Sequence, residues 1–148
     1  MLAVDPAVVG QKLAENRIRS SHVDVRFVGL DGERIDLPDR SVDGALSTWT
    51  LCTIPDADAA IGEVKRILKP GGALHFIEHG LAPAAERKTQ QWQQRLNPVQ
   101  NKLAGGCNLN RDMRLLLERN GFEVDAEQLR IEAPGILGWH LAGTARPN

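Results

Sequence analysis

Residues 37–80, LPDRSVDGALSTWTLCTIPDADAAIGEVKRILKPGGALHFIEHG, read as strand, loop, helix, tight turn and strand. Val42–Thr48 is a short run of mostly small, uncharged side chains, which suits a strand covered on both faces. Between Asp56 and Lys69 the apolar residues Ala57, Ala60, Ile61, Val64, Ile67 and Leu68 recur at three- and four-residue steps and so paint one face of a helix. Asp56, just after Pro55, is placed to accept N–H bonds as N-cap, and Lys65, Arg66 and Lys69 sit at the negative end of the helix dipole. Pro70 ends the helix and Gly71-Gly72 supply a turn into an apolar strand over Ala73–Glu78. A β-α-β crossover implies a parallel sheet, and ligands of parallel sheets bind beyond the C-terminal strand ends, here Ser47–Thr53 and Glu78–Gly80.

The composition sets bounds around this unit. A chain of 148 residues, 42 % hydrophobic with interspersed charges of both signs, has the material for one globular domain over residues 1–148. A net charge of −1 leaves no basic face for a phosphate backbone, so a small-molecule partner is expected and nucleic acid is not. No apolar run reaches the ~18 residues of a membrane span and no signal pattern opens the sequence, which makes the cytoplasm the expected compartment. Cys52 and Cys107 lie far apart without ligand-type neighbours, so two free thiols are expected, with no metal site.

Upstream, Met1–Val4 is an apolar strand fragment followed by Asp5-Pro6 and a helix carrying Val8, Val9, Leu13 and Ile18. Asp5 either caps that helix with Pro6 at its first position or accepts hydrogen bonds from a ribose, whose vicinal hydroxyls match two carboxylate oxygens. Val23–Gly29 alternates as a strand and runs into Asp31-Gly32-Glu33, which is either an ordinary turn or a carboxylate and an unhindered N–H offered to a flat heterocycle. Downstream, Pro83–Ala104 reads as one kinked helix or two, with Trp92, Leu96, Val99 and Leu103 as its inward stripe, lying over the sheet as cover or lid. Gly105-Gly106-Cys107-Asn108 is a flexible turn. Asn110 is expected to cap a helix through Met113, Leu116 and Leu117 that stops at Asn120-Gly121. Phe122–Ala133 and Ile136–Ala145, joined by Pro134-Gly135, have the pattern of a closing antiparallel hairpin. The expected architecture is an α/β sheet, mostly parallel, with that hairpin at one edge.

Taken in this order and spacing, Asp5-Pro6, Asp31-Gly32-Glu33, LPDRSVDGALSTWTLCTIPD, KRILKPGGALHFIEHG and the closing hairpin resemble a class I S-adenosylmethionine-dependent methyltransferase with its Rossmann-like sheet. The likeness extends over nearly all of the chain. It is strongest to the small-molecule branch containing the ubiquinone/menaquinone-biosynthesis and methyltransferase-like 7 proteins. The IEHG and GGCNLNRDM segments point to the latter, which are thiol methyltransferases. The resemblance implies S-adenosylmethionine as cofactor, with Asp5 on the ribose and Pro6 beside it, Asp31 on the adenine amino group, Gly32 on the ring, and Ser47 and Thr48 beside the methionine part. It implies an acceptor pocket near Trp49, Cys52, Glu78 and Cys107, and His79 as the base that takes the acceptor's proton. His79 also reads as a hydrogen-bonded structural histidine, Cys107 as a small buried apolar residue, and Trp49, Trp92 and Trp139 as core.

One departure from the family pattern is large. Its first strand and Gly-rich loop would precede Met1, so the domain is expected to be N-terminally incomplete and to lack the usual first strand. A gap of two strand spacings, roughly 10 Å, then exposes unpaired backbone. Three outcomes are expected to resolve it: a truncated product, a rearranged sheet in which Met1–Val4 pairs directly with Val42–Thr48, or a homodimer whose second chain completes the sheet. The leading reading is methyl transfer to a small or lipid-like acceptor through a thiol, hydroxyl, amine or carbon. The competing reading is a non-catalytic methyltransferase-like module that does not bind the cofactor by itself. The absence of G-x-G-x-x-G disfavours a nicotinamide dehydrogenase.

Overall fold

The computed structural model describes residues 1–5, 8–29, 31–133 and 135–148. In chain order the elements are β1 (Leu2–Val4), α1 (Val8–Ser20), β2 (Arg26–Gly29), β3 (Val42–Thr48), α2 (Ala57–Ile67), β4 (Leu68–His79), α3 (Arg87–Leu103), α4 (Met113–Arg119), β5 (Phe122–Arg130) and β6 (Trp139–Pro147). They form two sheets. β1 and β2 pair in parallel across α1, while the second sheet runs β3-β4-β6-β5, with β3 and β4 parallel and β6 antiparallel to both β4 and β5. This is the α/β arrangement expected, parallel strands first and an antiparallel hairpin last.

The central crossover forms as its sequence dictates. Asp56 caps α2, its carboxylate accepting the Ala59 N–H at 3.0 Å, and the apolar stripe buries Ala57, Ala60, Ile61 and Ile67. That face meets Leu74 and Phe76 of β4 and, through α4, Leu116 and Leu117. Each such fully buried aliphatic side chain contributes about 1.5–3 kcal/mol. Of the gap's three expected outcomes, the rearranged sheet is excluded: among the described residues β1 pairs with β2 alone and β3 with β4 alone.

Several local expectations are corrected. Pro70-Gly71-Gly72 is a bulge inside β4 and not a turn before it, because pairing with β3 begins at Leu68 opposite Val42 and resumes at Ala73 opposite Gly44. Gly72 suits that bulge, since a Cβ there would stand 2.9 Å from the Asp43 carbonyl oxygen. β3 is not covered on both faces: Leu46 is 73 % exposed, while Ala45 and Ser47 on either side of it point to the other face and are half-buried. The helix after the glycine turn is capped by Asp112, which accepts the Leu115 N–H at 3.0 Å, and not by Asn110. β2 is shorter than Val23–Gly29, and Pro134 of the hairpin connection lies outside the described residues.

The correction with most bearing on the site concerns α3. It is one helix with Pro98 inside it, and its expected inward stripe faces outward, with Trp92 53 %, Val99 55 % and Leu103 82 % exposed. The side that packs is centred on Gln93, fully buried, which accepts the Ala82 N–H at 2.9 Å and donates to the carbonyls of Gly80 at 3.1 Å and Ile136 at 3.0 Å. Those backbone groups belong to the segment after β4 and to a single 3-10 turn, Gly135–Leu137, before β6, so an amide that both donates and accepts decides which face turns in. No described helix is long and apolar enough to cross a membrane.

Candidate active site

The C-terminal end of β4 delivers Glu78 and His79 into the interior, and three segments converge on them: the loop after β3, the turn after α3, and the start of β6. Glu78 is fully buried. Its carboxylate accepts the Ser47 hydroxyl at 2.6 Å, the Thr50 N–H at 3.1 Å and the Cys52 N–H at 3.2 Å. Three donors and two acceptor oxygens make a closed set, which wraps residues 47–52 around the strand end. Trp49 enters that loop at φ +49, a left-handed conformation unusual for a bulky residue, held by its N–H bond to the Ile77 carbonyl at 3.0 Å.

The turn after α3 is anchored to that loop. Gly105 and Gly106 take φ +58 and +90, and the Asn101 side-chain amide donates to the Gly106 carbonyl at 2.7 Å. Asn108 then donates twice to the Cys52 carbonyl, from its backbone N–H at 2.9 Å and its side chain at 3.1 Å. Arg111 adds guanidinium bonds to the carbonyls of Leu51 and, at 2.8 Å, Ile54. The effect is to bring Cys107 against Cys52 and His79.

Nδ1 of His79 lies 3.3 Å from Sγ of Cys107, and the Cys52 thiol lies beside the same residue. Cys107 is held down to about pKa 5, first by that thiol donor and then by His79, against an opposing cost of burial. Cys52 moves the other way, raised by its bond to Cys107 and by burial, and keeps its proton. A neutral His79 that donates Nδ1–H to this sulfur would carry its lone pair on Nε2. That Nε2 is buried and, among the described residues, bonds to nothing.

His140 completes the site. It faces His79 across the β4–β6 ladder with ring centroids 5.3 Å apart, its Nδ1 is 3.3 Å from the Gly138 carbonyl oxygen, and the Trp49 ring stands edge-on to it at 5.9 Å. Burial lowers its pKa.

The expected site residues thus fall into groups. Trp49, Cys52, Glu78, His79 and Cys107 come together; Ser47 joins them through Glu78, while Thr48 is exposed and its carbonyl accepts the Thr50 hydroxyl at 3.0 Å. Asp31 accepts the Glu33 N–H at 2.8 Å, and Gly32 packs so closely on Ile54 that a Cβ there would lie 3.0 Å from Cδ1. Asp5 comes directly after β1 in the two-stranded sheet, where its carbonyl accepts Gln11 Nε2 at 2.7 Å, and Pro6 lies outside the described residues. His140, Asn108, Arg111 and Gln93 were not anticipated. The NLNRD run after Cys107 was the one available signal, for Asn108 and Arg111.

Comparison with known proteins agrees with this architecture. Residues 1–76 match the methyltransferase domain family. The thiol S-methyltransferase TMT1A of Homo sapiens is 40 % identical over 135 residues, covering 88 % of this chain and 51 % of that protein. The chain spans about half the length of the curated relatives it matches, at 51 % and 55 % for two of them. Among solved structures, a SAM-dependent methyltransferase from Methanosarcina mazei superposes with a TM-score of 0.69 at 22 % identity, covering 99 % of this chain and 81 % of that one. A geranyl diphosphate methyltransferase in complex with SAM does so at 0.74 and 13 %, covering 99 % and 68 %. With its sheet order, its crossover and residues 1–76 all in agreement, the chain belongs to the methyltransferase domain family.

Proposed function

We propose that residues 1–148 act as one domain that transfers a methyl group from S-adenosylmethionine to a small-molecule thiol, with His79 as the acceptor's base. The observation that carries this reading is the buried Nε2 of His79, unbonded among the described residues, at the C-terminal end of a parallel strand, with the Cys107 sulfur 3.3 Å from Nδ1. An acceptor S–H meeting Nε2 would give up its proton there as the sulfur becomes nucleophilic. The thiol S-methyltransferase relatives support a sulfur acceptor. The residues present fit the cofactor: exposed Asp31 retains a carboxylate oxygen beyond the one its own turn uses, and Gly32 beside it has no side chain to shield its N–H. Asp5, Asp31, Gly32, Ser47 and Thr48, at or just beyond strand ends, would hold it together with Pro6. When bound, it supplies an electrophilic methyl on a sulfonium, and alignment with the acceptor supplies much of the acceleration.

The test is transfer of labelled methyl from S-adenosylmethionine to a matched set of alkyl thiol, alcohol and amine. The thiol is expected to be methylated, and His79→Ala to lower its rate by about 10²–10⁴-fold near neutral pH. That deficit should shrink above about pH 8.5, where the thiol ionises unaided. Methylation of the alcohol or amine alone, or a His79→Ala variant with wild-type rates, would sink the assignment. Failure to bind S-adenosylhomocysteine in a calorimetric titration would select the non-catalytic reading.

A further inference from the structure

Methyl transfer to a free acceptor needs only one sulfur beside His79, yet the site holds two, on segments bonded to each other. Asn108 binds the Cys52 carbonyl through both its backbone and its side chain, so the chain at Cys107 is fastened to the chain at Cys52. The two thiols differ in access: Cys52 is 2 % exposed, whereas Cys107 is partly open. They also differ in environment. Cys107 faces His79, His140 and Arg111 as well as the Cys52 thiol, while Cys52 faces Glu78 and Arg111 besides Cys107. Among the described residues no three His, Cys, Asp or Glu side chains stand where they could hold a metal ion.

We propose that Cys107 is a nucleophilic thiolate that undergoes thiol–disulfide exchange with low-molecular-weight disulfides, and that Cys52 is its resolving thiol. In the first step the Cys107 sulfur attacks one sulfur of RS–SR, forming Cys107–S–S–R and expelling RS⁻. In the second, Cys52 loses its proton to that RS⁻ and attacks the Cys107 sulfur, releasing the other RS⁻, which takes a proton from solvent. Two protein thiols are oxidised to one disulfide and RS–SR is reduced to two RSH. A partly open thiolate next to a buried protonated thiol is the division of labour that exchange requires. If His79 is the acceptor's base, the disulfide also removes the thiolate that holds its tautomer, so oxidation would switch methyl transfer off. The exchange itself needs neither cofactor nor methyl transfer.

The experiment treats the reduced chain with bis(2-hydroxyethyl) disulfide under argon and monitors intact mass, peptide mapping and released 2-mercaptoethanol. Wild type is expected to lose two hydrogens and release two equivalents of thiol, with Cys52 joined to Cys107. Cys52→Ser should stop at a mixed disulfide on Cys107, and Cys107→Ser should leave Cys52 unmodified over the same time. The wild-type rate, which needs no variant to fold, should change less than about threefold between about pH 6 and 8, because Cys107 is already ionised at about pKa 5. An ordinary thiol would slow by roughly 10²-fold on the same descent. An adduct first on Cys52, a steep ordinary-thiol pH profile, or no reaction with the folded chain while the urea-unfolded chain reacts would each overturn the proposal. None of these readings depends on methylation, so failure here and failure of the methyltransferase assignment are separable.

Discussion

Glu78 illustrates how much of this site rests on a single side chain. Its two oxygens take three donors in a fully buried position. Replacing it by glutamine keeps the volume but turns one oxygen into an NH₂ that must face an N–H or O–H donor. Glu78→Gln is therefore expected to cost about 2 kcal/mol, read as a lower urea midpoint at unchanged slope, while Ser47→Ala, which removes one donor, should cost about 1 kcal/mol. A Glu78→Gln midpoint indistinguishable from wild type would show that the loop is held by other contacts. The positions of Glu78 and His79 were legible in the sequence because an apolar run ending in Glu-His-Gly marks a strand end. Their partners were not. His140 reaches His79 only through the register of β6 against β4, and Cys107 reaches Cys52 only through the Asn108 bonds, neither of which leaves a local pattern.

At the scale of elements, α2 and α3 show where periodicity informs and where it misleads. α2 has an apolar stripe, a capping aspartate and a sheet to cover, and all three agree, so its extent could be read within a residue or two. α3 also has an apolar stripe, but backbone groups of the two adjoining connections, at Gly80, Ala82 and Ile136, require an amide, and that demand outweighs the stripe. Two substitutions separate the effects. Gln93→Ala leaves three backbone polar groups unpaired, two of them buried, and is expected to cost about 3 kcal/mol, whereas Leu103→Gln, at 82 % exposure, should stay within about 0.5 kcal/mol. Thermal melts of both variants check this. A Leu103→Gln variant that loses as much as Gln93→Ala would mean that the stripe is buried in solution and Gln93 is not.

Across the whole molecule, stability is distributed unevenly. None of the described residues among the first 29 is buried, whereas the fully buried members of the core run from Leu51 to Ala145. A two-stranded sheet is marginal in isolation, so β1, α1 and β2 depend on their attachment to the rest of the chain. That attachment is a strap between β2 and β3, tied to α2: the Asp56 N–H donates to Glu33 at 2.8 Å, the Ile35 N–H to Glu63 at 2.9 Å, and Arg66 to the carbonyls of Ile35 and Leu37 at 2.8 and 2.7 Å. These bonds hold the strap and leave the first sheet to open on its own. Sub-global opening of this kind exposes amides at a free energy below that of global unfolding. Hydrogen exchange should accordingly find the amides of β1, α1 and β2 at least about 10²-fold less protected than those of β4 and β6, with the boundary falling at the strap. Because Asp5 lies just past β1 and Asp31 just past β2, a ligand gripping both would act on the less stable part of the chain. Added S-adenosylhomocysteine should slow exchange there more than in β4. Equal protection of β1 and β4 without ligand would show that the two sheets unfold as one unit, and that the fold needs no ligand across them to be cooperative.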